Sequence, residues 1–158
     1  MHSDHIEIIR LRSEHCERVY DISAKYIPEH WSLDGIKDVL RYDNNIYYVA
    51  MCHCADSGFD KTEVVGFGGI MIVADEAELL NIAIEEAYRK QGIAGRILDK
   101  LIDEAKLAQC TRMLLEVRKA NETAQRFYRD KGFDDLGIRK NYYVDPTDDA
   151  IIMDNVLR

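Results

Sequence analysis

The sequence predicts a mixed α/β fold: a mostly antiparallel sheet with a central parallel strand pair and flanking helices. Three observations carry this. Apolar, strand-like stretches at 6–12, 46–54, 63–73 and 77–84 precede the longest helical pattern, and the last three have connectors short enough for an antiparallel meander. One strand–helix–strand unit spans 77–117, and such a crossover joins parallel strands in the right-handed sense. Two further stretches, 137–144 and 150–156, close the chain as a hairpin around DPTDD.

In chain order, IEIIRLR (6–12) alternates like a strand. Ser13 can cap a helix with Cys16, Val19, Tyr20, Ser23 and Ile27 along one side, ended by Pro28. Ser32 caps a second helix, with Trp31 stapled onto Ile36. IYYVAMCHC (46–54) is a strand, ADSGFDKT (55–62) a turn region, and EVVGFGGIMIV (63–73) and AELLNIAI (77–84) are strands. Gly66, Gly68 and Gly69 inside a strand predict a bulge. Ile93, Ile97, Leu98, Leu101, Ile102, Ala105 and Ala108 line one side of an amphipathic helix. RMLLEV (112–117) is almost wholly apolar, which predicts a central strand. Asn121 opens a short helix that Gly132 ends.

With 158 residues, 47% of them apolar, the chain is expected to form one domain, 1–158, around its own core. No apolar run approaches the ~20 residues that span a bilayer. The charged start, MHSDHIEIIRLRSEHC, is unlike a secretory leader, so a cytoplasmic protein is expected, with no membrane partner. A net charge of −8 argues against direct nucleic-acid binding. Of the cysteines, Cys52-His53-Cys54 lacks metal-ligand spacing and a second ligand cluster; reduced thiols and no metal are expected.

The stretch YRKQGIAGRIL (88–98) strips side chains from the first turn of a helix otherwise built for burial. Glycine inside a helix costs about 1 kcal/mol against alanine. Unsatisfied N–H groups and the helix dipole make such a turn an anion site, and glycine permits close approach by a phosphate. A plain tight turn with close helix–strand packing is the alternative. Neither the P-loop ending nor the dinucleotide glycine pattern is present.

Glu116 is a carboxylate at the end of an apolar strand, and burial there would raise its pKa towards that of a general base. It reads equally as a strand-end carboxylate paired with Arg118 or Lys119. Tyr128 can be a proton donor or one of two aromatics, with Phe127, that pack an amphipathic helix.

Arg89-Lys90-Gln91-Gly92-Ile93-Ala94 matches the Q/R-x-x-G-x-G/A signature of the GNAT acetyltransferase superfamily. LLNIAI (79–84), LLEVRKANETAQRFYRDKGF (114–133) and IRKNYYVDPTDDAIIM (138–153) resemble the ribosomal-protein-alanine N-acetyltransferase (RimI-type) family. The resemblance is dense from about Glu78 onwards; EHWS (29–32) carries His30 where that family often has proline.

The resemblance implies the GNAT acyltransferase fold and acetyl-CoA as cosubstrate. It implies that Arg89, Lys90, Gln91, Gly92, Ile93, Ala94 and Gly95 bind the pyrophosphate. Ile82, Ala83 and Ile84 would pair with the pantetheine arm like an extra strand, one N–H holding the thioester oxygen. Asn121 would touch the same arm, besides capping its helix. Glu116 would accept the proton of the amine and Tyr128 would protonate the leaving thiolate, with Glu78 as the alternative base. Asn141, Tyr142 and Tyr143 would shape the acceptor groove. The implied acceptor is the α-amino group of a protein N-terminus, an alanine of a ribosomal protein. The alternatives are lysine or small-molecule acetylation by the same scaffold, and a non-catalytic acyl-CoA-binding module.

Overall fold

The computed structural model describes residues 5–56 and 59–158, with 54–56, 59 and 60 by backbone alone. Its strands are β1 (His5–Arg10), β2 (Asn45–Asp56), β3 (Phe59–Val73), β4 (Glu76–Ile84), β5 (Arg112–Arg118), β6 (Asp134–Val144) and β7 (Thr147–Val156). The helices are α1 (Cys16–Tyr26), α2 (Leu33–Asp38), α3 (Ile93–Leu107) and α4 (Glu122–Asp130). The strands follow the sheet order β1-β2-β3-β4-β5-β7-β6. β4 and β5 run parallel, while β1–β2, β5–β7 and β6–β7 are antiparallel. This is the expected mixed sheet with a parallel pair inside it and β5 in an interior position.

Contacts divide the chain into two compact units, Met1–Ile70 with Asn81–Leu101, and Met71–Leu80 with Ile102–Arg158. In the first, β1 pairs with β2 in a register that sets Ile6 against Cys52 and Ile8 against Ala50. Val19, Ile22, Val49, Val65, Ile70, Ile97, Leu98 and Leu101 are completely buried. Each such aliphatic side chain contributes about 1.5–3 kcal/mol of hydrophobic stabilisation. The glycines of β3 make room here. A Cβ on Gly69 would fall inside the Tyr47 ring, and one on Gly68 would reach Ile97.

The expected cap at Ser13 is replaced. Residues Ser13–His15 form a 3₁₀ turn and Arg12 takes the cap position. The reason is the imidazole: Nδ1 of buried His15 accepts the Arg12 N–H at 3.0 Å, reaching back three residues. The cap at Ser32 is as expected, its hydroxyl accepting from the Gly35 amide at 3.1 Å. Strand structure runs to Asp56 and resumes at Phe59, well inside the expected turn region 55–62, whose centre at 57–58 lies outside the described residues. Cys16 and Cys110 are free and buried, whereas Cys52 is disulfide-bonded, which departs from the expectation of reduced thiols throughout.

In the second unit, β5 buries Met113, Leu115 and Val117 on one face, and Phe133 and Met153 are also buried in that unit. Arg112, Leu114, Glu116 and Arg118 alternate onto the other face. Arg112 ties three strands together through Glu76 on β4 at 3.1 Å and Asp154 on β7 at 3.5 Å. No helix among the described residues is long and apolar enough to cross a membrane.

Candidate active site

The turn before α3 explains its glycine. Gly92 has φ +79°, in the left-handed region that costs other residues about 1–2 kcal/mol, and, its chain neighbours aside, no heavy atom of the described residues lies within 4 Å of the Cβ it lacks. Lys90 is also left-handed, at φ +64°, without that freedom. Two such residues around Gln91 bend the chain into α3, whose first backbone bond runs from the Arg96 N–H to the Gly92 carbonyl. The amides of Ile93, Ala94 and Gly95 therefore belong to the first turn, where a helix supplies no internal acceptor. Ile93 and Gly95 are buried and Ala94 half-buried, so the turn presents backbone rather than side chain.

Before that turn, Ala83 and Ile84 are buried and Ile82 half-buried at the end of β4. Arg89 leans back over this end: its Nε donates to the Ile84 carbonyl at 3.0 Å, and its guanidinium lies 4.4 Å from the centre of the Tyr26 ring. Tyr26 escapes sequence reasoning because it is the last residue of α1, far away in the chain.

In the second unit the parallel register pairs Glu76 with Arg112, Ala77 with Met113 and Glu78 with Leu114. A groove of about 400 Å³ lies along these strand segments. Glu76, Glu78, Leu114, Glu116, Arg139 and Ile152 are among its walls. Glu116 and Glu78, the two candidate bases, thus face one groove. Glu116 keeps 22% of its side chain exposed, so it is screened by its neighbours rather than sealed by burial as the sequence led us to expect.

A partner of Glu116 comes from another strand. Nε of Arg139, from β6, stands 3.6 Å from Oε1 of Glu116. The Tyr142 phenol also lies close to Glu116, and the neighbouring carboxylate, with burial second, pushes the phenol above its ordinary pKa. Arg118 is committed elsewhere: its guanidinium lies 4.2 Å from the centre of the Tyr143 ring and donates to the Pro146 carbonyl at 2.8 Å. In a regular strand, residues 139 and 142 would point to opposite faces. The register of β6 shifts between Arg139 and Tyr143, and Asn141 within that shift has φ +54°. This irregularity lets both side chains reach one carboxylate. The Asn141 N–H is taken by Oδ1 of Asp149 at 2.9 Å, which pins it.

Tyr128 is not among the groove residues. Its half-buried ring packs on Phe127 and Phe133, with centroids 5.3 and 5.8 Å away, and burial pushes its phenol up to about 12. The group is therefore a neutral phenol, the form that can donate a proton, across the physiological range. Asn121 caps α4 through Oδ1, which accepts from the Ala124 amide at 3.1 Å. Gln125, one turn on and buried, donates to the carbonyls of Arg118 and Lys119 at 3.0 and 2.8 Å, fastening α4 to the end of β5. Sequence reasoning missed Gln125, Arg139 and the Tyr142 contact; the one available signal for the latter two was their place in the IRKNYYV stretch.

Comparison with known proteins identifies the family. Residues 16–133 match the model of the Acetyltransferase (GNAT) family. A Bacillus subtilis protein with the provisional name ribosomal protein bS18-alanine N-acetyltransferase is 34% identical over 144 residues, 90% of each chain. The Escherichia coli ribosomal protein bS18-alanine N-acetyltransferase is 40% identical over 93 residues, 58% of this chain and 63% of that one. A crystal structure of the Escherichia coli ribosomal-protein-S18-alanine N-acetyltransferase superposes with a TM-score of 0.81 at 28% identity, covering 97% of this chain and 94% of the other. The chain belongs to the GNAT acetyltransferase family.

Proposed function

We propose that this acetyltransferase moves an acetyl group from acetyl-CoA to the α-amino group of a protein N-terminus, an alanine of a ribosomal protein. The carrying observation is the groove on β4 and β5, in which Glu116 and Glu78 present carboxylates to an acceptor. The resemblance to bS18-alanine N-acetyltransferases along most of the chain supports the acceptor class.

The turn fits its cosubstrate. A left-handed Gly92 with open space at its Cβ position leaves room for a pyrophosphate against the amides of Ile93, Ala94 and Gly95. Arg89, Lys90 and Gln91 lead into it. On this reading, Ile82, Ala83 and Ile84 offer backbone groups to the pantetheine arm, and an N–H there holds the developing oxyanion. Asn121 serves that arm besides its capping role.

Glu116 takes a proton from the ammonium, directly or through one water, and frees the nitrogen lone pair. That nitrogen bonds to the thioester carbon, the carbon–sulfur bond breaks, and Tyr128 gives its proton to the leaving sulfur. The bonded nitrogen sheds its second proton, which makes good the one Tyr128 gave to sulfur, and Glu116 releases its own proton to solvent. An α-amine titrates roughly two units below a lysine, so about a hundred-fold more of it is neutral near pH 7. A groove with carboxylates on its walls draws in the ammonium form and asks little of the base.

The test is acetyl-CoA with a mixed peptide set read by mass spectrometry. It contains free N-termini beginning Ala, Ser, Met or Gly, and N-blocked peptides with internal lysines. Acetyl on free α-amines, strongest on Ala, is expected. Modified lysines instead would move the acceptor to another class.

A further inference from the structure

We infer that Tyr26 is a positioning residue for the donor: its ring holds the Arg89 guanidinium ready for the phosphates of acetyl-CoA. The inference rests on the pyrophosphate reading of the turn at 89–95. Arg89 is an exposed side chain at the mouth of that turn, and such a side chain normally samples many rotamers. Here it is held twice. Nε is spent on the Ile84 carbonyl at 3.0 Å, and the guanidinium face lies 4.4 Å from the Tyr26 ring centre. The two terminal amino groups have no partner among the described residues, and a planar fork held by its near edge presents them together.

Tyr26 is itself fixed at its far end. Its hydroxyl donates to Oε2 of Glu85 at 3.3 Å and accepts the Glu86 N–H at 3.1 Å. Glu85 is the unexpected member, a mostly buried carboxylate four residues before Arg89 at a site meant for anions. Its charge is offset by Lys25 at 3.1 Å and Arg18 at 3.5 Å, both from α1. The cluster therefore adds net positive charge beside the turn while using its one carboxylate to lock the phenol. A carboxylate placed to repel phosphate is converted into a brace for the residue that aims Arg89.

A residue that merely braced α1 would affect every donor alike. A residue that aims Arg89 matters only for donors with phosphates. We would measure the KM of acetyl-CoA and of S-acetylpantetheine, which lacks the phosphates, and CoA affinity by calorimetry, which needs no acceptor. Tyr26→Leu should raise the acetyl-CoA KM and the CoA Kd about ten-fold, within the range of a partly desolvated cation–π contact. Its kcat should hold within about two-fold, and its kcat/KM for S-acetylpantetheine should not change. Tyr26→Phe keeps the ring and should recover most of the affinity. An equal loss for both donors, or an unchanged CoA Kd in Y26L, would overturn the inference. Arg89→Gln separates the two ideas. If R89Q keeps its full preference for acetyl-CoA, the phosphate role of Arg89 itself falls. If R89Q loses that preference and Y26L does not, only the role of Tyr26 falls.

Discussion

The Arg139 guanidinium stands 3.6 Å from the Glu116 carboxylate, and the same carboxylate raises the pKa of the nearby Tyr142 phenol. An acceptor ammonium must therefore replace a cation already in place. Arg139 is more than half exposed, and pairs of that kind are worth about 0.2–1 kcal/mol. Arg139→Gln should lower the acceptor KM by up to about five-fold and leave the acetyl-CoA KM unchanged. Glu116→Gln should lower kcat by about 10²–10⁴ without loss of acetyl-CoA affinity. Steady-state kinetics with each substrate varied in turn checks both. Wild-type turnover in E116Q would move the base to Glu78.

Tyr128 offers a spectroscopic test. With its phenol at about 12, it should stay protonated well past the ordinary phenol value of about 10. The tyrosinate absorbance lost in Tyr128→Phe should therefore be the late part of the titration. The raised value also means that the stability tied to this neutral phenol is fully present below about pH 10 and is lost as pH rises through about 12. Turnover of Y128F should fall about 10²-fold or more while CoA still binds. An unchanged rate would return Tyr128 to the core.

His15 should make stability depend on mild acid. Burial, the leading cause, holds its imidazole below the ordinary 6.5, and Nδ1 must stay unprotonated to accept the Arg12 amide. The unfolded chain then takes up a proton first as pH falls below about 6.5, so stability declines in that direction. His15→Asn keeps an acceptor without a titration. Urea midpoints at pH 7.5 and 5.5 should differ more in the wild type than in H15N.

Gln125→Leu should cost about 1–3 kcal/mol, because the carbonyls of Arg118 and Lys119 lose their donor in a buried place. Chemical denaturation measures this directly. Glutamate at the same position should be worse, since a carboxylate would then face two carbonyl oxygens.

Much of this molecule is legible in the order of its residues. The periods of α3 and β5, the caps at Ser32 and Asn121 and the glycine turn at 92 all obey local rules. Gly92 stands where φ is +79°, a conformation to which a single residue type is suited. What local rules misplace are partners. Neighbours in sequence pointed Glu116 towards Arg118 or Lys119, whereas packing brings Arg139 of β6 to it and turns Arg118 towards Tyr143 and Pro146.

The sequence by itself determined the family and most of the elements, and it supplied the residues proposed to bear the chemistry, since each depends on a short window: a period, a cap, a glycine, a signature. The tertiary structure decided what each of those residues meets. Arg139 and Tyr142 share one carboxylate only because β6 slips register around a left-handed Asn141, and that slip depends on pairing with β7 and on Asp149. Tyr26 reaches Arg89 only because α1 packs at the end of β4. Such contacts arise from register and packing between distant segments, where a shift of one residue would turn every side chain to the other face.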